Sequence, residues 1–255
     1  MYHNPQIDPI ILKGRMNMAC LVIHGFTGTP DSMRSVANTL NSHGFHVEAP
    51  LLAGHGTTPD HLSKTDWKDW YQSVQVSYNQ LRTHFDKVFV CGLSLGSLLT
   101  LKLAIDFKES ISGIACLATP LHFKPWIKTL LPIVHYSPIK LVWKYQKKFD
   151  VDVKDPDAKN NFWNYDLMPI SCIKSIYDLQ QMIVPRLSEI TAPVLLIHSR
   201  HDSTAPYDSM GTVAQSVTST VTETITLENS YHIITLDYEK NLVADKVTSF
   251  FNKFI

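Results

Sequence analysis

A serine stands between two glycines at Gly92-Leu-Ser94-Leu-Gly96, directly after the apolar run Val88-Phe-Val-Cys91. A serine on a tight strand-to-helix turn is forced into strained backbone angles, and flanking glycines remove the side chains that would clash there. Its Oγ is then exposed, with the N-terminus of the next helix behind it. With 10 glycines in 255 residues, chance would place roughly 0.03 G-x-S-x-G patterns in such a chain. The pattern therefore reads as a nucleophile rather than an ordinary glycine turn. A serine hydroxyl attacks a carbonyl only when a base takes its proton and an acid orients that base. The order expected after such a turn is serine, acid, histidine. Asp202 follows the run Val194 to His198, with Asp208 as a rival acid nearby. His232 follows the alternating run Glu223 to Leu227, and among the 12 histidines it combines a post-strand loop with a place after the acid.

Acyl transfer also needs donors for the oxyanion, and backbone N–H groups supply them without reorganisation. The expected donors are the N–H of Leu95, next to the nucleophile, and that of Phe26 in the loop His24-Gly-Phe-Thr-Gly28. His24 reads as a residue that pins this loop. His55, in Gly54-His-Gly56, reads as a brace for neighbouring loops, and His198 and His201 as packing or surface residues. No HExxH or comparable cluster argues for a metal, and the chemistry needs no organic cofactor.

These groups require a scaffold. Met18 to His24, Lys87 to Cys91, Ile111 to Ala118 and Pro193 to His198 are near-continuous apolar runs, as strands buried on both faces are. Phe45 to Ala49 is a further short strand. Helices are expected from Asp31 or Ser32 to about Ser42, from Thr65 or Asp66 through Leu81, from Leu95 to Phe107, and from Leu236 to Phe251. Alternating strands and helices imply a parallel sheet with right-handed crossovers. From about Pro120 to Ser188 strand-like runs are scarce. Prolines 125, 132, 138, 156 and 169 divide short amphipathic stretches that hold Trp126, Trp143 and Trp163. The expected organisation is one domain over 1–255, with a core at about 1–119 and 189–255 and a helical cap inserted at about 120–188.

The composition bounds the function. Lys+Arg and Asp+Glu are both 23, so net charge is zero, which gives no footprint for nucleic acid. Hydrophobic residues at 44% exclude disorder. No secretory signal and no transmembrane run stands out. The four cysteines form no CxxC pair, and three sit in apolar runs, as buried thiols in a reducing cytoplasm would. Of the cap residues Trp126, Ile127, Leu130, Leu131, Ile133, Val134, Leu141 and Trp143, most are assigned to packing. The rest would line an acyl pocket or a lipid-facing entrance.

The stretches His24-Gly-Phe-Thr-Gly28, Gly54-His-Gly56, Gly92-Leu-Ser-Leu-Gly96, Arg200-His-Asp202 and His232-Ile-Ile-Thr-Leu-Asp237 resemble the α/β-hydrolases, and more narrowly the bacterial carboxylesterases and monoacylglycerol lipases. The resemblance implies an α/β-hydrolase fold: a mostly parallel central sheet flanked by helices, with a helical cap between core strands. It implies Ser94 as nucleophile, Asp202 as acid, His232 as base, and Phe26 and Leu95 as the oxyanion hole. Ser97 replaces a customary small residue and Tyr231 a customary glycine, which bears on pocket size rather than mechanism. The expected activity is hydrolysis of short- to medium-chain acyl esters. Monoacylglycerol lipase, thioesterase or acyltransferase chemistry is the alternative, and a non-catalytic binding protein the least favoured. The expected partner is a small-molecule ester, with lipid contact confined to the cap.

Overall fold

A computed structural model describes residues 6–123, 143–147 and 150–255. Seven strands form one sheet: β1 (Ile10–Leu12), β2 (Met18–Ile23), β3 (His46–Ala49), β4 (Lys87–Leu93), β5 (Gly113–Leu117), β8 (Val194–Ser199) and β9 (Thr222–Leu227). Their spatial order is β1-β3-β2-β4-β5-β8-β9. Only β1 runs antiparallel, against β3; the other neighbours are parallel. Every residue of β2, β5 and β8 is buried, because helices cover both faces of a parallel sheet.

The period-two alternation of a strand divides the core in two. Leu21, Val90, Ile114 and Leu196 face one side. There they meet α3 (Trp67–His84), α4 (Leu95–Phe107) and α6 (Ile170–Ile183). Val22, Phe89, Ala115 and Ile197 face the other side, against α1 (Arg34–Ser42) and α8 (Lys240–Asn252). Helix α3 starts where the sequence places it. Asp66 accepts from the N–H groups of Lys68 and Asp69, and Asp69 returns a bond to the Asp66 N–H. Helix α4 spans the expected residues, and the chain reverses after α1 at Gly44, whose φ is +99°.

Three expectations are corrected. The helix expected from Asp31 or Ser32 begins instead as a 3-10 turn at Pro30–Met33, and α1 starts at Arg34. Neither candidate caps it, because Ser32 Oγ bonds back to Thr29 O and Asp31 pairs with Arg34. Helix α8 starts at Lys240 rather than Leu236. The Asp237 carboxylate takes the Tyr238 N–H, and Lys240 N donates to Asp237 O, so the preceding residues form turns. Between β5 and β8 the described chain contains a two-stranded antiparallel ribbon, β6 (Tyr145–Lys147) and β7 (Leu167–Pro169), as well as α5 (Pro156–Asn161) and α6. Three-residue strands carry too little alternation to read from sequence. The expected cap residues from Pro125 to Leu141 lie outside the described residues. The short α2 (Pro59–Leu62) and α7 (Asp208–Ser216) complete the helices used below. Among the described residues, no helix is long and apolar enough to cross a membrane.

Phe89 is fully buried, with its ring 5.8 Å from Phe45 and 4.7 Å from Phe251. Phe89→Ala is expected to lower stability by about 3–5 kcal/mol. The midpoint of urea unfolding reads this, and a loss below about 1 kcal/mol would contradict the assignment of this face as core.

Candidate active site

Ser94 joins β4 to α4 with φ 53° and ψ −116°, a left-handed conformation costly for a residue with a Cβ. The two glycines allow the turn. A Cβ at Gly92 would lie 2.1 Å from Gly96 O, and one at Gly96 would lie 2.2 Å from Ile23 O. Backbone therefore passes within contact of backbone on both sides of the serine. Ser94 N donates to Leu117 O at 2.8 Å, which ties the turn to β5. Ser97 is buried and its Oγ donates to Ser94 O at 2.6 Å, so a hydroxyl braces the turn from inside α4. Leu95 is the first residue of α4, and a helix leaves its first N–H groups without internal acceptors.

The structure brings Asp202 and His232 to this serine. His232 Nε2 lies 2.9 Å from Ser94 Oγ, and His232 Nδ1 lies 2.7 Å from Asp202 Oδ2. With Nδ1–H donating to the carboxylate, Nε2 is left to accept the serine proton. Asp202 is fully buried at its side chain. Its Oδ1 accepts the N–H groups of Thr204 at 2.9 Å and Ala205 at 2.7 Å. Burial alone would raise its pKa. The charge of His232 and the hydrogen bonds from His198 and His232 outweigh that and hold the carboxyl well below the usual carboxylate range. The rival acid, Asp208, opens α7 on the surface and pairs with His122 at 3.2 Å. His201 is exposed.

Phe26 lies in the turn after β2. A Cβ at the preceding Gly25 would be 3.4 Å from Ser94 Cβ, so this loop passes beside the serine. Thr27 holds φ 62°, and Gly28 N donates to Gly25 O. His24 pins the loop: its Nε2 accepts Leu52 N at 3.1 Å and its Nδ1 bonds Gly25 O at 2.9 Å. His55 stands edge-on to His24 and to Phe26. Burial pushes His24 down to about 4, while burial and the neighbouring His24 push His55 down to about 3.

Several positioning groups carry no signal in the sequence, because their role depends on which loops meet. Asp237 is fully buried and accepts four backbone N–H groups: Lys154 and Asp155 from the segment between β5 and β8, and Tyr231 and Tyr238 from the histidine loop. Asp152 joins the same elements. Its carbonyl accepts His232 N at 3.0 Å and Ile233 N at 3.1 Å, and its Oδ2 accepts Ser203 Oγ and Thr204 Oγ1. Glu239 accepts Asn229 N and Ser230 Oγ, and buried Ser199 donates to Ser230 O. His198 is buried against Asp202 rather than merely packed. Among the described residues, no group of three or more His, Cys, Asp or Glu is arranged to hold a metal ion.

Two measurements test this construction. The folded chain binds protons at His24 and His55 less readily than the unfolded chain, so acid draws the equilibrium toward unfolding. The loss begins near pH 6.5, the ordinary value, and extends to about 4 for His24 and about 3 for His55. Both contribute with the same sign, so the decline steepens as pH falls below 6.5. Urea unfolding at pH 7, 6 and 5 reads the decline, and a flat profile would contradict neutral burial of these rings. Asp237→Asn places an amide NH2 or a single oxygen before four N–H donors. It is expected to cost about 2–3 kcal/mol of stability and at least tenfold in turnover, checked by thermal unfolding and kcat.

Comparison with known proteins agrees with this architecture. Residues 14–239 match the family described as serine aminopeptidase, S33. A thermostable monoacylglycerol lipase of Bacillus sp. (strain H-257) is 33% identical over 233 residues, covering 91% of this chain and 90% of that protein. A carboxylesterase of Bacillus subtilis (strain 168) is 30% identical over 247 residues, 96% of each. A solved structure from work on the metagenome-derived lipolytic enzymes LipS and LipT superposes with a TM-score of 0.90 at 30% identity, covering 98% of both chains. The monoacylglycerol lipase of Paleococcus ferrophilus shares the fold, with a TM-score of 0.81 at 16% identity, over 97% of this chain and 98% of that one. A mostly parallel sheet, a serine on the turn after β4 and a family match over most of the length converge: the chain belongs to the serine aminopeptidase S33 family and has the α/β-hydrolase fold.

Proposed function

We propose that the chain is a carboxylic ester hydrolase in which Ser94, His232 and Asp202 form a catalytic triad. The observation that carries this reading is the continuous chain of hydrogen bonds from Ser94 Oγ through His232 to buried Asp202. Ser94 Oγ attacks the ester carbonyl as His232 Nε2 takes its proton. Asp202 holds the tautomer and stabilises the imidazolium. The N–H groups of Phe26 and Leu95 receive the oxyanion, aimed before charge develops and so without reorganisation cost. The tetrahedral intermediate collapses, His232 gives the proton to the leaving alcohol, and an acyl-enzyme remains. Water, deprotonated by His232, attacks that acyl group, and Ser94 recovers its proton as the acid leaves.

The substrate reading is an ester with a short- to medium-length acyl chain, enclosed beneath residues 120–188 acting as a cap. The approach of Phe162 to the loop before α1 supports a cap: its ring carbon lies 3.5 Å from where a Gly28 Cβ would stand. A monoacylglycerol is the second reading, favoured by the Bacillus lipase that is 33% identical. Exposed Trp143, just before β6, and exposed Leu167 on β7, paired across the ribbon with Lys147, support contact with a lipid surface. Four free, buried thiols fit residence in a reducing cytoplasm.

Hydrolysis of p-nitrophenyl esters from C2 to C16, beside 1-monoacylglycerols of matched chain length, tests both readings. The wild type is expected to peak at a short or medium chain and to react covalently with a serine-directed phosphonate. Ser94→Ala is expected to lose at least about 10⁴-fold in kcat while keeping its unfolding midpoint. Retention of turnover by that variant would overturn the triad. A peak only on monoacylglycerols would select the second reading.

A further inference from the structure

Asp202 is held by two imidazoles, and only one of them reaches the serine. His198 Nε2 lies 3.0 Å from Asp202 Oδ2, the same oxygen that accepts His232 Nδ1–H. His198 is the fifth residue of β8 and is 1% exposed. Its Nε2 also lies 3.4 Å from Ala205 O, a longer contact to an acceptor in the same loop. Its Nδ1 is buried with no hydrogen-bond partner. That asymmetry fixes the donor: a proton on Nδ1 would be a buried N–H with no acceptor, whereas a proton on Nε2 meets a carboxylate.

We propose that His198 is a positioning residue that tunes the basicity of His232 by sharing Asp202 Oδ2 with it. The inference rests on the triad reading above and deepens it. A carboxylate has about four lone-pair positions, and Asp202 fills them with two ring N–H and two backbone N–H donors. Charge drawn toward His198 is not available to the imidazolium of His232. His198 therefore lets His232 release its proton at lower pH, which extends activity toward acid, and it locks the Asp202 rotamer from the strand side. The other titratable groups around His198 do not take over this role. Tyr207, edge-on at 5.9 Å, spends its hydroxyl on Thr226 Oγ1 at 2.6 Å. Arg200 lies over the Tyr207 ring and pairs with Glu228. His201 bonds Ser199 Oγ through its backbone N–H, and Asp208 pairs with His122. The opposite strand presents Thr226 to His198, an uncharged neighbour.

The test is the pH profile of kcat/KM on one p-nitrophenyl ester for wild type, His198→Leu and His198→Gln. Leucine fills the site without a donor, and its acid limb is expected to move up by about 0.5–1 unit, a three- to tenfold loss at the acid end. Glutamine carries an N–H at similar reach and is expected to restore most of the wild-type limb. A role confined to packing would lower the unfolding midpoint of both variants and leave both limbs in place. A limb in His198→Leu within about 0.2 units of wild type, in folded protein, overturns the proposal. Histidine-labelled wild type supplies a check that needs no variant. Two protected ring N–H protons are expected at Asp202, from His232 Nδ1 and His198 Nε2, and a spectrum holding only the first also overturns it. Failure of the triad reading is separate: Ser94→Ala and His232→Ala would then keep turnover, whatever His198 does.

Discussion

The close approach of the first turn of α4 to the end of β2 sets the geometry on which the rest of the site depends. Only a residue without Cβ can stand at position 96, because Ile23 O occupies the place a side chain would take. The same constraint at Gly92 closes the turn from the other side. Between them Ser94 accepts an unfavourable backbone conformation, which the Leu117 carbonyl and the Ser97 hydroxyl help to hold. Within this turn the positive φ falls on Ser94, and hydrogen bonds to β5 and within α4 hold it there.

Around this fixed point the remaining groups sit on loops, and buried Asp237 and half-buried Asp152 and Glu239 organise those loops. Asp237 gathers backbone N–H groups from two separate segments, and Glu239 and Ser199 hold the stretch just before His232. Backbone donors that the turns leave unpaired would be expensive to bury, and a carboxylate satisfies several at once. The aspartates at 152, 202 and 237 therefore do different work with one functional group. One ties the loops together, one orients an imidazole, and one satisfies main-chain donors.

Much of this was legible in the sequence, for identifiable reasons. Ser94 announces itself because the turn demands glycines at fixed spacing, and β2, β4, β5 and β8 because strands covered on both faces are unbroken apolar runs. Asp202 and His232 follow from loop position and chain order. The stretch Arg200-His-Asp202 favours Asp202 over Asp208, which the structure sets on the surface against His122. The roles of Asp152, Asp237 and His198 were not legible at all. An isolated aspartate or an apolar-flanked histidine looks the same whether it meets solvent, a backbone or another side chain. Likewise Pro30–Met33 winds as a tighter helix than expected because Ser32 and Asp31 spend their side chains locally.

Asp152 uses its main chain as well as its side chain: the carbonyl, not the carboxylate, receives His232 N. Every amino acid carries that carbonyl, so this contact is indifferent to side-chain identity and sensitive to chain length. One residue inserted or deleted near position 152 would move the wrong peptide unit beneath the histidine loop. This contact therefore constrains the register of the chain around position 152 rather than a side chain. Exchanging the segment between β5 and β8 among relatives would succeed or fail on how the junction is counted.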